Sequence, residues 1–356
     1  MAITRLKNPA LANVREPNFR NIIINGDQSI AQRSTSVSSI TGTGFYTLDR
    51  FKTSMGTAGT WTQSQSTDVP TGQGFANSLK MDCTTANGSL SSGSSLAIQQ
   101  GIEGQNLQYL KKGTSSAESL TLSFWVKSNK TGTYIAELFD GDNTRQASQS
   151  YTISSANTWE KKTLTYAGDT TGAFGNDNGN SLSLNFWLVA GTNFTSGTLQ
   201  TSFTSNTNAN RAVGQVNLAD STSNEWYITG VQLEAGTSAS DFEFLPFDIN
   251  KRRCERYYMN LGLCTGSAYS STNGMIWCIQ FPVETRATPT VSFSYSGTAN
   301  RIYRIENAAL SDFTSPIIFK TTKGIQQMYS SGTPASGWAN TEGRGFQATW
   351  VIESEL

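Results

Sequence analysis

The chain contains no histidine, and that one absence closes off a good deal of chemistry. Without imidazole there is no Ser-His-Asp or Cys-His relay, and most catalytic zinc sites lose a ligand. Charge is scarce too, at 15% of 356 residues, and 26 Lys+Arg balance 26 Asp+Glu. A neutral chain has no basic surface to reward nucleic acid or an acidic membrane. The four cysteines, Cys83, Cys254, Cys264 and Cys278, show no CxxC spacing and read as buried free thiols of a chain made in a reducing cytoplasm. No apolar run approaches the roughly 20 residues of a spanning helix, and the first residues lack a signal-peptide core. The expectation is a soluble chain with no cofactor, no nucleic-acid partner and no membrane insertion.

What is abundant is equally directive. There are 44 serines, 45 threonines and 32 glycines, residues poor in helices and suited to turns and the wet faces of strands. With 37% hydrophobic residues the chain still has enough to build cores. Apolar and Ser/Thr residues alternate in Leu120–Lys127 (LTLSFWVK) and Leu182–Ala190 (LSLNFWLVA), the period of a half-buried strand. Further strands are expected at 134–139, 162–166, 198–203 and 225–233, with type I′ turns at Asn25-Gly26, Asn87-Gly88, Asn178-Gly179 and Asn273-Gly274. The fold class that follows is all-β: a jelly-roll β-sandwich over residues 21–247, then a short helix, then a second, smaller β-sandwich-like domain over 262–356.

Two stretches break the β pattern. Residues 105–112 suggest one or two helical turns. Residues 248–261 predict a linker helix capped by Asp248, because Cys254, Tyr257, Tyr258 and Leu261 fall at i, i+3, i+4 and i+7. That apolar face is a candidate oligomer contact. Residues 1–20 carry Arg5, Lys7, Arg15 and Arg20 against Glu16, the composition either of a frayed terminus or of an extended arm that orders on a larger assembly.

Candidate chemistry is thin. The FDGDN loop offers Asp140, Asp142 and Asn143 as weak calcium ligands, although turn chemistry alone accounts for Asp, Asn and Gly there. Asp27 with Asp241 makes a weaker pair. Glu103, Glu118, Glu137 and Glu234 could pair as acid and base only if the fold joined them, and each reads as an exposed charge. Among the tryptophans, Trp125, Trp187 and Trp226 sit inside strand patterns and are expected in the core. Trp61 and Trp159 flank polar loops and are the surface candidates. In the last domain Trp338 and Tyr329 are the aromatic pair placed to touch a receptor.

Taken together, NIIINGDQSIAQRSTS, FYTLDRF (45–51), IEGQNLQYLKKG (102–113), LTLSFWVKSNKTGTY (120–134) and NTWEKKTLTYAGDTTG (157–172) carry a resemblance. So does WYITGVQLEAGTSASDFEFLPFDINKRRCERYY (226–258). The chain resembles a family of phage tail-fibre and virion structural proteins with a carbohydrate-binding-module-like jelly roll. The resemblance implies a place on a virion, assembled in the host cytoplasm, with other tail or adaptor proteins as partners, a homotrimeric state and a host cell-surface glycan as a further partner. It implies an attachment arm at 1–20 and a variable tip at 262–356, and it transfers neither a catalytic residue nor a sugar site. The expected function is a non-enzymatic tail-fibre or fibre-like component contributing to host attachment. The alternatives are a head decoration or tail-adaptor-associated protein without a receptor role, and a glycan depolymerase.

Overall fold

The structure, a computed structural model, describes residues 20–268, 274–276, 279–305, 309–312, 316–330 and 345–356. The chain is all-β. Thirteen strands come first: β1 Ser36–Ile40, β2 Gly44–Phe45, β3 Lys52–Met55, β4 Thr60–Ser66, β5 Ser78–Thr85, β6 Ser95–Glu103 and β7 Leu120–Ser128. They continue with β8 Gly132–Asp140, β9 Arg145–Ile153, β10 Glu160–Tyr166, β11 Asn180–Ala190, β12 Thr204–Ser205 and β13 Glu225–Ala235. They make two antiparallel sheets, in the orders β1-β4-β5-β13-β7-β10 and β12-β9-β8-β11-β6-β3-β2.

The two sheets stack as the expected jelly roll. One face of each is apolar at every second residue, and these faces share a core. Trp61, Met81, Phe124, Val126 and Trp226 come from the first sheet, and Ile98, Tyr134, Leu138 and Phe186 from the second. Phe124 bridges the layers, meeting Tyr151 and Phe186 edge-on with ring centroids 5.0 Å apart in both cases. Residues 105–112 do turn, as two short 3-10 helices at 104–106 and 108–110.

Three local expectations need correction. Residues 198–203 form no strand, and only Thr204–Ser205 pairs with β9. The Asn-Gly turns are not type I′: Asn25 has φ 62° but Gly26 lies outside the left-handed region, as do both residues at 87–88 and 178–179. Asn273 lies outside the described residues. Gly26 is required for a different reason, since a Cβ there would stand 2.1 Å from the Val231 carbonyl oxygen. The turn thus lies hard against β13, and Val231 N–H donates to Gly26 O at 2.9 Å.

The helix is shorter than its periodicity predicted. A four-residue turn, α1, spans Thr192–Thr195, and the linker helix, α2, spans Phe247–Glu255. Pro246 takes the N-cap position, so Asp248 sits inside the first turn, where its charge favours the helix dipole. Tyr258 already begins the next strand, so Leu261 is not on the helix.

The remaining strands are β14 Tyr258–Ala268, β15 Gly274–Ile276, β16 Ile279–Gln280, β17 Thr290–Tyr295 and β18 Thr298–Ala299. After them come β19 Arg301–Arg304, β20 Ala309–Asp312, β21 Pro316–Thr321, β22 Gly324–Ser330 and β23 Gly345–Glu353. Hydrogen bonds join them into one branched sheet whose two halves close on Met259, Phe293, Ile302, Ile325, Trp350 and Ile352.

Candidate functional site

The outward faces of the two jelly-roll sheets differ, and the difference locates the site. On the second sheet, Ile135, Ala97 and Trp187 point away from the main core but are covered by the chain's own segment 191–217 through Phe194, Leu199 and Ala212. Arg211 from that segment clamps Glu137 with two hydrogen bonds of 2.7 and 2.9 Å. Asn185 and the Trp187 indole donate to the same carboxylate at 3.1 and 3.0 Å. That face is closed by its own chain.

The outward face of the first sheet is covered over Thr121, Lys127 and Thr229 by the chain's own loops and is open along its β10 side, at Trp125, Lys161, Thr163 and Thr165. In β7 the apolar set Leu122, Phe124 and Val126 points inward, which turns Trp125 outward with Lys127. Across β10, Lys161 is the register partner of Trp125, and Trp159 precedes it by two residues. On β13, Thr229 pairs with Trp125 and Tyr227 with Lys127, and on β5, Lys80 pairs with Tyr227. Trp125 and Trp159 are half-buried, while Tyr227 is buried beside Trp159.

The surroundings of Tyr227 are electrostatically tight. Lys127 Nζ stands 4.3 Å from the Tyr227 ring centroid and Lys80 Nζ 5.4 Å from it. Burial and the neighbouring Glu225 push the Tyr227 hydroxyl up to about 12, against the opposing pull of Lys80. Lys127 also pairs with Asp68, and the Trp159 indole N–H donates to Asp68 at 2.9 Å. Burial works against the Asp68 carboxylate, but these two hydrogen bonds outweigh it and hold the group below its usual range. Trp159 meets Tyr227 edge-on, centroids 6.2 Å apart. The indole is therefore fixed on one edge and open on the other, a pre-set platform that loses little entropy on binding a flat apolar surface.

Beside this platform lies a second aromatic group. Phe75 packs on Gly230, where φ is +61° and a Cβ would stand 2.5 Å from the ring. Phe242 and Phe244 pack on Phe75 with centroids 4.8 to 5.1 Å apart. Phe244 is 50% exposed and Phe247, at the start of α2, 64%.

The sequence candidates fare unevenly. Trp159 is on the open face as expected. Trp61 is not a surface residue: it is wholly buried, its indole N–H donating to Ala58 O at 2.7 Å, because β4 turns Trp61 and Gln63 inward together. Trp226 is in the core as expected, whereas Trp125 was assigned to the core and faces out. The signal for Trp125 was present, since it shares the polar phase of LTLSFWVK with Thr121, Ser123 and Lys127. Tyr227 and Asp68 carried no comparable signal. Trp338 lies outside the described residues, and Tyr329 sits on β22 opposite Gly274 and Ile317.

The tyrosines proposed as an oligomer contact are instead buried within the chain. Arg50 lies over Tyr257 at 3.5 Å and Arg33 over Tyr258 at 3.7 Å, while Cys254 is fully buried and Leu261 packs against the second core. Arg20 is anchored, donating to Asp241 O at 2.8 Å and standing 3.9 Å from Glu234. Arg5, Lys7 and Arg15 lie outside the described residues.

The calcium loop is built as a turn. Lys112 Nζ stands 2.6 Å from Asp140, Asn143 N–H donates to the same carboxylate, and Asp142 accepts from Gly175 N–H at 2.8 Å. No cluster of three or more metal-ligating side chains occurs among the described residues. Nor do the four glutamates meet: Glu103, Glu137 and Glu234 are buried structural anions rather than exposed charges, and Glu118 pairs with Lys111.

No protein-family model matches the chain, and no curated protein matches it. Solved structures do. The enzymatically active domain of tailspike protein 4 from bacteriophage CBA120 is 18% identical, with 61% of this chain and 22% of that chain covered and a TM-score of 0.32. The TmCBM61 module in complex with β-1,4-galactotriose is 10% identical over 61% of this chain and 99% of its own, TM-score 0.31. The family 11 carbohydrate-binding module of a Clostridium thermocellum cellulosomal cellulase is 13% identical over 56% of this chain and 99% of its own, TM-score 0.26.

Proposed function

We propose that this chain is a non-catalytic structural and adhesive component of a bacteriophage particle, in a tail fibre or fibre-like appendage, and that its jelly roll binds a cell-surface glycan. The observation that carries the binding half is the open face of the first sheet. Trp125 and Trp159 are half-buried there, and Trp159 is held by Tyr227, Lys127 and Asp68. Apolar platforms ringed by a few placed polar groups are how proteins hold small polar ligands in orientation. The virion half rests on the sequence blocks between residues 21 and 258, which in that order resemble the tail-fibre family. A homotrimer with neighbouring tail or adaptor proteins as partners belongs to this reading. A head-decoration or adaptor-associated place on the particle is its nearest rival.

Two measurements test it. Cryo-electron microscopy of intact particles is expected to place the chain in the tail appendage; density for it on the head would move it to the rival position. Purified protein is expected to bind host surface polysaccharide and leave it uncut. The appearance of new reducing ends would replace adhesion with depolymerisation.

A further inference from the structure

We infer that the ligand of the Trp125–Trp159 face is an electrically neutral, linear saccharide that spans both rings. This rests on the glycan-binding reading above and narrows it. Lys80, Lys127 and Lys161 share the face with Asp68, Asp82 and Glu225, so its charges cancel. The lysines under the platform are already engaged, Lys127 by Asp68 and Lys80 by Glu225 at 2.7 Å. Recognition of a polyanionic glycan calls for several unpaired cations, above all arginine forks; none of the residues just named is an arginine, and of the three lysines Lys161 alone is exposed without an ion pair. Thr163 and Thr165 follow Lys161 at alternate positions of β10, on the outward face and exposed. Hydroxyls of this kind suit the hydroxyls of a neutral sugar.

The register sets the ligand's length. Trp125 is the cross-strand partner of Lys161, and Trp159 lies two residues along from Lys161. With strands about 4.8 Å apart and a rise of about 3.4 Å per residue, the two backbone positions are about 8 Å apart. Trp159 stands just ahead of β10, and a saccharide that reaches from one position to the other is longer than one pyranose ring, so the proposed ligand is a chain and not a single sugar.

The test is affinity electrophoresis and calorimetry of the full chain against neutral polymers (glucans, galactans, mannans) and against polygalacturonate and alginate, at low and high salt. At least one neutral polymer is expected to bind with little salt dependence. Trp125→Ala and Trp159→Ala are each expected to weaken that binding about tenfold, with Trp125→Phe retaining most of it. A polyanion bound in a salt-sensitive, tryptophan-dependent way would overturn neutrality while leaving glycan binding intact. Neutral binding that ignores both tryptophans would place the site elsewhere. A lack of binding to any polymer, with self-association that Trp159→Ala abolishes in light scattering, would make the face a contact between copies and remove the glycan reading itself.

Discussion

The guanidinium of Arg50 lies 3.5 Å from the centroid of the Tyr257 ring, and these two residues belong to opposite sides of a joint. Arg50 precedes β3 of the jelly roll, and Tyr257 follows α2 at the entry to the second unit. Around them Arg50 pairs with Glu355 and donates to Gly101 O at 2.6 Å. Arg33 reaches Glu353 and Glu355 at 3.0 and 3.3 Å. Arg256 forks onto Glu103 through two bonds of 2.7 Å, and the Tyr257 hydroxyl donates to Glu103 at 2.5 Å. Arg286 donates to the carbonyls of Asn178, Ser354 and Glu355. Almost every contact is an arginine with a carboxylate or a carbonyl, the geometry in which its planar fork loses least.

Glu103 is the anion on which that joint turns. Burial disfavours its charge, but the hydrogen bonds from Arg256 and Tyr257 outweigh burial and hold its pKa below 4.5. Its contribution to stability is therefore present above pH 4.5 and lost as pH falls through the depressed folded value. Glu103→Gln is expected to cost about 3 kcal/mol in urea unfolding at neutral pH, by leaving Arg256 and Tyr257 unmatched. A loss under about 0.5 kcal/mol would mean that the joint is held elsewhere.

Asp49 behaves in the opposite sense. Burial, only partly offset by the bonds from Gln32, raises its pKa from 3.8 to about 6. Between those values the folded chain holds a proton that the unfolded chain has released. Its contribution is thus fully present below about pH 4 and lost as pH rises to about 6, on the order of 3 kcal/mol. Asp49→Asn is expected to flatten the stability profile across that window. An unchanged profile by pH-resolved thermal melts would place the titration on another group.

Trp61 and Trp159 looked alike in sequence and should separate in experiment. Trp61→Ala removes a wholly buried indole and is expected to cost about 3–5 kcal/mol. Trp159→Ala should cost under about 1 kcal/mol while reducing glycan retention. Equal losses of stability in differential scanning calorimetry would contradict the assignment of Trp159 to an open face.

Gly26→Ala tests the seat of the first turn. A methyl group 2.1 Å from the Val231 carbonyl must displace β13 or the turn. The expected cost is at least about 2 kcal/mol, with Gly42→Ala, which meets nothing within 4 Å, as the neutral control.

Much of this was legible in the sequence because a strand writes its burial at period two. LTLSFWVK and LSLNFWLVA gave both their strands and the sandwich they build. The same period placed Trp125 outward, but the general preference of tryptophan for cores overrode it in the reading. The helix was overextended because Tyr257, Tyr258 and Leu261 fit a helical spacing and a strand start equally well, and tertiary pairing with β23 decided between them. Glu103 and Glu137 were misread as surface charges, since their partners Arg256 and Arg211 lie 153 and 74 residues away, and no local pattern records such a pairing.

The pairing of β14 with β23 has a mechanical consequence. The first strand of the second unit lies beside the last along nearly their whole length, from Tyr258 opposite Glu353 to Ser267 opposite Gly345. The jelly roll grips both near one end, at Tyr257 and Tyr258 on one side and Glu353 and Glu355 on the other. A pull on the far end of the second unit is therefore divided between the covalent link through α2 into β14 and the arginine clamps on the end of β23. The second unit is thus joined to the jelly roll at two points, one covalent and one ionic, and not through a single linker.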